Sequence, residues 1–436
     1  MNIALVFCKI DDLFDNCKAG VFSIFESNPP LGLASIGTVA KSEGHKVKVF
    51  DQLLKKFSNQ ELIEAVMDFH PDMVGFACTS LNITNSCQCA TIIKKEYNLI
   101  VFAGGIHITL CTKNVLDKNI FDFLISGEGE EVFRKFLVHY KKEKNICCRT
   151  LGFWHKDTKE NCGIAVLEDV NNRIVDRQII DIDEYRNIGA LLEEFPCYSL
   201  FSSRGCPFKC RFCSKPEYFK VYRRRSTEDV MKEIHELVEV YGAKAISFRE
   251  DNFTCNISEL KEFCNDMIKN FGGDLHWECE SRADMPRELL ELMYAAGCRG
   301  IWCGVETTIP RWNRWINKQL TLNAVNRFYK DCADIGIKTG ALFMFGFPDE
   351  TDEEIDEDVH FANSLPTVFS AFQCLAIFPG SPLAEYYDEH PELKHRLTDG
   401  ISLALRKGYE WTDMLRQEKE INNRIKSVRE QKSYGN

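Results

Sequence analysis

Two runs of short apolar segments alternating with helix-period segments fill most of this 436-residue chain. The first run ends near residue 141. Its strand candidates are Ile3–Phe7, Val47–Phe50, Met73–Ala77, Ile100–Ala103 and Phe121–Ile125. Helices are expected between them at about Leu33–Glu43, Ser58–Phe69 and Asn82–Glu96, and Ser58 with Glu61 has capping-box spacing. Buried strands separated by helices imply a doubly wound parallel α/β sheet, which takes ligands at the carboxyl ends of its strands.

The second run starts at Tyr198. Strands are expected at Tyr198–Ser203, Ala245–Arg249, Leu275–Glu280, Gly300–Gly304, Thr339–Phe345 and Ser370–Ala376, with a helix in each interval. Ser226 with Asp229, and Thr351 with Glu354, supply helix caps. Six such units can close a partial (β/α)6 barrel with its chemistry at the strand carboxyl ends. Residues 142–196 read as a connector, with short strands at Gly152–Trp154, Ala165–Glu168 and Ile174–Ile180. From residue 386 the tail reads as charged helix with no strand. The expected organisation is therefore 1–141, a connector at 142–196, a barrel at 197–385 and a helical extension at 386–436.

Composition limits the function classes. A formal net charge of −11 argues against nucleic acid as a partner, and Arg223-Arg224-Arg225 is the one basic cluster of note. No apolar stretch reaches membrane-spanning length. The apolar run Ile3–Cys8 stops at Lys9, Asp11 and Asp12, unlike a secretory signal. A cytoplasmic protein is expected, and its 20 cysteines are then reduced thiols, many packed as small apolar groups.

The segment after the first barrel strand concentrates the chemistry. Cys206, Cys210 and Cys213 bring three thiolates into eight residues, close enough for one loop to wrap a single metal centre. A structural zinc site closes with four ligands, and no neighbouring cysteine or histidine completes this one; Cys197 lies before the strand. Three thiolates suit a four-iron cluster with one iron open to substrate. Zinc and plain packing are the competing readings.

The spacing C-x3-C-x2-C, with Phe212 before the last cysteine, resembles the signature of the radical S-adenosylmethionine (SAM) enzymes. That resemblance implies a [4Fe-4S] cluster on the three cysteines. It also implies reductive cleavage of SAM to a 5′-deoxyadenosyl radical, with the electron coming from an external low-potential donor. By the same resemblance Phe212 would lie near the adenine. Glu250 and Asp251 stand where the family binds the SAM amino group, and Arg282 suits the carboxylate. Glu306 closes a G-x-E element, and Gly346 opens the adenine-edge turn Gly346-Phe347-Pro348. Taken singly, acidic residues after strands also cap helices, and G-F-P is an ordinary turn. Their order, one element after each successive strand, carries the likeness over residues 198–382.

The first run is similar to the cobalamin-binding domain of cobalamin-dependent radical SAM enzymes. The likeness rests on Leu31 and Gly32 entering the first helix, Thr79 and Ser80 after the third strand, Gly104 and Gly105 after the fourth, and Gly127 and Glu128 after the fifth. These eight residues are the implied cobalamin contacts. Ordinary turns, another ligand or a bare scaffold are the alternatives. No D-x-H-x-x-G motif is present in this run, so the resemblance implies cobalamin without a histidine ligand below the cobalt, and His107 is not carried over as one.

Together these implied parts point to a radical methyltransferase acting on an unactivated carbon of a small molecule or peptide. Rearrangement or cyclisation with the same cofactors is the alternative. A methylthiotransferase would need a further three-cysteine cluster, for which Cys8 and Cys78 are the nearest candidates but poorly flanked. A cobalamin-binding regulator would leave the triad without purpose.

Overall fold

The computed structural model describes residues 1–11, 28–143, 145–146, 148–157, 163–185, 191–214, 219, 221–393, 395–396 and 402–433. The chain divides into two compact units, with the break after Glu184.

In the first unit, β1 (Asn2–Phe7), β2 (Lys46–Asp51), β3 (Met73–Ala77), β4 (Ile100–Gly104), β5 (Phe123–Ile125) and β6 (Phe153–His155) form one sheet in the order β2-β1-β3-β4-β5-β6. Only the β5–β6 pair is antiparallel. Helices α1 (Leu31–Ser42), α2 (Asn59–Asp68), α3 (Ile83–Tyr97) and α4 (Gly129–Glu143) alternate with the strands. The Ser58–Glu61 capping box that starts α2 is complete. Strands buried on both faces need apolar residues throughout, and Ile3 to Val6 are fully buried. Aromatic rings fill the β5 side, with Phe102 and Phe123 stacked at 4.9 Å and Phe123 and Phe136 tilted at 4.4 Å.

Two connector readings are corrected. Ile174–Ile180 is not a strand but a 3-10 turn at Arg177–Ile179, because the Asp176 carboxylate accepts from the Gln178 N–H and bends the chain. Ala165–Glu168 makes a single bridge, Ala165 to Gly127, and is otherwise held by the loop after β5.

In the second unit, β7 (Cys197–Leu200), β10 (Ala245–Phe248), β11 (His276–Ser281), β12 (Cys298–Glu306), β13 (Lys338–Phe345) and β14 (Phe369–Cys374) form an all-parallel sheet in chain order. Between β7 and β10 lie the two-residue strands β8 (Ser203–Arg204) and β9 (Arg223–Arg224), which pair antiparallel. Helices α5 (Thr227–Glu239), α6 (Ile257–Phe271), α7 (Arg287–Ala295), α8 (Leu322–Ile335) and α9 (Asp352–Ser364) separate the parallel strands. Phe248, Phe263 and Trp277 pack edge to face at 5.4 to 5.7 Å between sheet and helices. Each such pair contributes about 0.5–1.5 kcal/mol beyond its buried area. Within this sheet the Leu191 N–H (3.0 Å) and the Ser247 hydroxyl (2.8 Å) both donate to buried Glu278.

The tail departs from the expected uniform helix. Ala376–Ile377 (β15), His395–Arg396 (β16) and Ser402–Ala404 (β17) form a small antiparallel sheet, followed by α10 (Trp411–Ser433). The apolar run Leu403-Ala404-Leu405 is buried, which a solvated helix would not require. One member of the basic cluster is spent internally. Arg225 is 5% exposed and bonds Asp229 at 2.7 Å and Glu233 at 2.5 Å.

Candidate functional site

In the first unit the sequence-selected residues all lie at the carboxyl edge of the sheet. Gly32 and Gly105 are exposed, while Thr79, Gly104 and Gly127 are half-buried. Gly105 has φ +104, and a Cβ there would stand 2.7 Å from the Cys78 carbonyl, so the backbone must stay bare. Leu31, Ser80 and Glu128 face inward. Ser80 Oγ pairs with His107 Nδ1 at 3.0 Å, and Glu128 accepts from the Leu167 N–H at 2.5 Å. His107 is thus a buried brace between the loops after β3 and β4. A bare, glycine-lined strand edge fits a large planar ligand, with Gly32, Thr79, Gly104, Gly105 and Gly127 as its accessible part.

In the second unit the cysteine loop follows β8 and is fastened on several sides. Gly205 has φ +85, and a Cβ would meet the carbonyls of Phe219 and Val221 at 2.4 and 2.5 Å. Only glycine lets the chain turn there into Cys206, whose N–H donates to Phe219. The Arg211 N–H donates to the Ile316 carbonyl at 2.8 Å, and its carbonyl accepts from Leu383 at 2.9 Å. Asn317 Nδ2 donates to the Lys209 carbonyl at 2.8 Å.

All three cysteines are half-buried. Burial pushes the Cys210 thiol up, the ammonium of Lys318 pulls it down, and Glu306 pushes it back up more weakly. Among the described residues no group of three or more His, Cys, Asp or Glu closes on a single metal ion. A four-iron cluster does not ask for that, because each thiolate binds a different iron. A fastened, half-buried loop with three thiols and no histidine or carboxylate among them fits such a cluster. No described cysteine is in a disulfide.

The remaining sequence-selected residues divide into two kinds. Phe212 packs on the apolar cluster of Ile309, Phe347 and Leu375, and so lies beside the turn that Gly346 opens. Gly346 donates its N–H to Glu350 at 2.6 Å. Asp251 is exposed, whereas Glu250 is 3% exposed. Glu250 Oε1 accepts from the Ser202 N–H at 2.5 Å and from the Ser202 hydroxyl, and its other oxygen is buried without a partner. Burial raises its pKa. Arg282 stacks 4.1 Å over the Phe208 ring and donates to the Lys318 carbonyl at 3.0 Å.

Glu306 ends β12 with φ +70, at the bulge where the β12–β13 register shifts. Its carboxylate folds back to Lys318 Nζ at 3.0 Å. The space is provided by Gly304, where a Cβ would come within 2.1 Å of Glu306 Oε1 and 3.0 Å of Lys318 Nζ.

Sequence reasoning did not single out Lys318 or Cys255 beside the cysteine loop, nor Glu350 under the Gly346 turn. Hydrogen bonding to Cys206, followed by burial, drives the Cys255 thiol well up. Lys318 lies between a short helix and α8 with no motif around it. Only the fold brings it to the G-x-E element.

Two family profiles match the chain. One, described as a B12 binding domain, covers residues 18–137, and one described as the Radical SAM superfamily covers 200–362. The chain belongs to the cobalamin-dependent radical SAM enzymes. Its cofactors are accordingly a [4Fe-4S] cluster, SAM and cobalamin. An uncharacterized methyltransferase of Pyrococcus horikoshii is 29% identical over 88% of this chain and 87% of its own length. The anaerobic magnesium-protoporphyrin IX monomethyl ester cyclase of Rubrivivax gelatinosus is 27% identical over 78% of this chain but only 63% of its own. The fold matches that of the radical SAM methyltransferase TsrM from Kitasatospora setae with a TM-score of 0.75 at 17% identity, over 98% of this chain and 88% of that one.

Proposed function

We propose that this radical SAM enzyme is a methyltransferase acting on an unactivated carbon of a small molecule or peptide. The observation that carries the reading is the pairing in one chain of a B12 binding domain with a barrel bearing Cys206, Cys210 and Cys213. The similarity to a protein named a methyltransferase over nearly its whole length supports it. When bound, the cluster, SAM and cobalamin supply the electron, the hydrogen-abstracting radical and the methyl group.

The chain's own residues hold and orient these groups. Cys206, Cys210 and Cys213 hold the cluster. Phe212 and the Gly346–Phe347 turn, which rests on Glu350, offer an apolar edge for the adenine. Asp251, exposed after β10, offers an acceptor for the SAM ammonium, with the buried Glu250 behind it. Arg282 and Glu306 stand at the ends of the next two strands, for the carboxylate and the G-x-E contact. In the first unit Gly32, Thr79, Gly104, Gly105 and Gly127 offer the open edge for cobalamin, backed by Leu31, Ser80 and Glu128. The strand carboxyl ends, which carry these residues, are the side for substrate.

The formal charge of −11 disfavours nucleic acid as substrate. No described helix is long and apolar enough to cross a membrane. Electrons come from an external low-potential donor, which suits a reducing cytoplasm.

Similarity to a protein named a cyclase favours cyclisation as the second reading. A methylthiotransferase cluster on Cys8 and Cys78 is disfavoured, because both thiols are fully buried. Incubation of the reconstituted enzyme with methyl-deuterated SAM and an anaerobic small-molecule extract separates the readings. Deuterated methyl in a product carbon skeleton supports methyl transfer. Consumption of SAM with an unlabelled, dehydrogenated or cyclised product overturns it.

A further inference from the structure

We propose that Lys318 is a positioning residue whose buried charge sets how readily the cluster on Cys206, Cys210 and Cys213 takes up an electron. The inference rests on the reading that these thiols hold the cluster, and goes beyond it by assigning the cation that tunes it.

Three contacts hold the segment Ile316–Lys318 against the cysteine loop. The Ile316 carbonyl accepts from Arg211, Asn317 Nδ2 donates to the Lys209 carbonyl, and the Lys318 carbonyl accepts from Arg282, which itself stacks on Phe208. Lys318 is therefore held beside the loop by its backbone, and its side chain is 11% exposed. The carboxylate of Glu306, 10% exposed, lies 3.0 Å from its ammonium. Gly304 leaves the room that this pair occupies.

A charge held away from water acts through a low dielectric and is poorly screened by salt. Local charge and solvent exposure are among the factors that set iron–sulfur potentials. Lys318 and Glu306 are a buried pair of opposite charges, so removing either one leaves the other uncompensated beside the loop. Lys209, on the loop itself, is exposed and screened. A positive charge stabilises the added electron, and removing it makes reduction harder.

The test is a potentiometric titration followed by electron paramagnetic resonance on anaerobically reconstituted protein, with iron counted in each sample. Wild type is expected to hold about four irons. Lys318→Met is expected to lower the reduction equilibrium constant at least tenfold, about 59 mV more negative for one electron. Lys318→Arg stays near wild type and Lys209→Met leaves the potential unchanged. Glu306→Gln, which leaves the lysine uncompensated, shifts it in the opposite direction. A merely structural role would not give opposite signs at the two partners. Unchanged potentials at full iron loading, or equal shifts for Lys318→Met and Lys209→Met, overturn the proposal. If Lys318→Met loses iron, Glu306→Gln decides: a positive shift supports the proposal, and none or a negative one overturns it. Wild-type protein that takes up no cluster overturns the thiol reading itself.

Discussion

The carboxylate of Glu350 accepts the backbone N–H of Gly346 at 2.6 Å, so a buried side chain holds the turn that follows β13. Its other oxygen is buried without a partner, and burial pushes its pKa up to about 8. The folded pKa thus exceeds the unfolded one near 4.5. The group is neutral in both states below about pH 4.5, and stability falls as pH rises from there through about 8. Glu350→Gln keeps an acceptor but cannot ionise. Its melting temperature is expected to gain on wild type over that window, by an effect of order a few kcal/mol at the alkaline end. Parallel melting profiles for the two proteins would contradict this.

Gly304→Ala tests the room beneath Glu306. The added Cβ would meet the carboxylate at 2.1 Å, and the side chain must swing away from Lys318. A cost of about 1–3 kcal/mol in stability is expected from overpacking. SAM binding to the reconstituted protein should weaken at least tenfold by equilibrium dialysis. Wild-type affinity would remove Glu306 from the SAM site.

The outer edge of the barrel sheet is held by side chains of α10. Asn422 accepts the Phe372 N–H at 3.0 Å and donates to its carbonyl at 2.9 Å, while Glu418 accepts the Cys374 N–H at 3.0 Å. Asn422→Ala leaves two groups of an edge strand unpaired. A loss of about 1–3 kcal/mol in thermal or urea unfolding is expected, with greater aggregation on heating. An unchanged midpoint would mean that water replaces the asparagine without cost.

Each of Cys206→Ala, Cys210→Ala and Cys213→Ala is expected to cut bound iron from about four to below one per chain. Their far-ultraviolet circular dichroism should match wild type, since the thiols are half-buried on a loop held by backbone bonds. Full iron in any one of them would take that thiol out of the cluster.

The parallel strands of both large sheets were legible because buried strands are written as apolar runs, and the Ser58 and Thr351 capping boxes as fixed spacings. The cysteine triad was legible because one loop carries all its ligands. Lys318 was not, since its partner Glu306 lies twelve residues away and the sequence shows neither the bulge nor the glycine-made space that joins them. Glu128 and Glu250 read as ligand-facing because an acidic residue after a strand looks the same whether it turns outward or inward. The structure turns both inward, onto Leu167 and Ser202. The strands of the tail are two and three residues long, too short to register as a period.

The central claim is that one chain joins a SAM-cleaving cluster to cobalamin. It is tested most directly by purifying the protein anaerobically with iron, sulfide and cobalamin, then adding methyl-labelled SAM and a low-potential reductant. The expected result is about four irons and one corrinoid per chain, with label appearing in methylcobalamin and 5′-deoxyadenosine released. A protein that binds the cluster and cleaves SAM but takes up no corrinoid would contradict it.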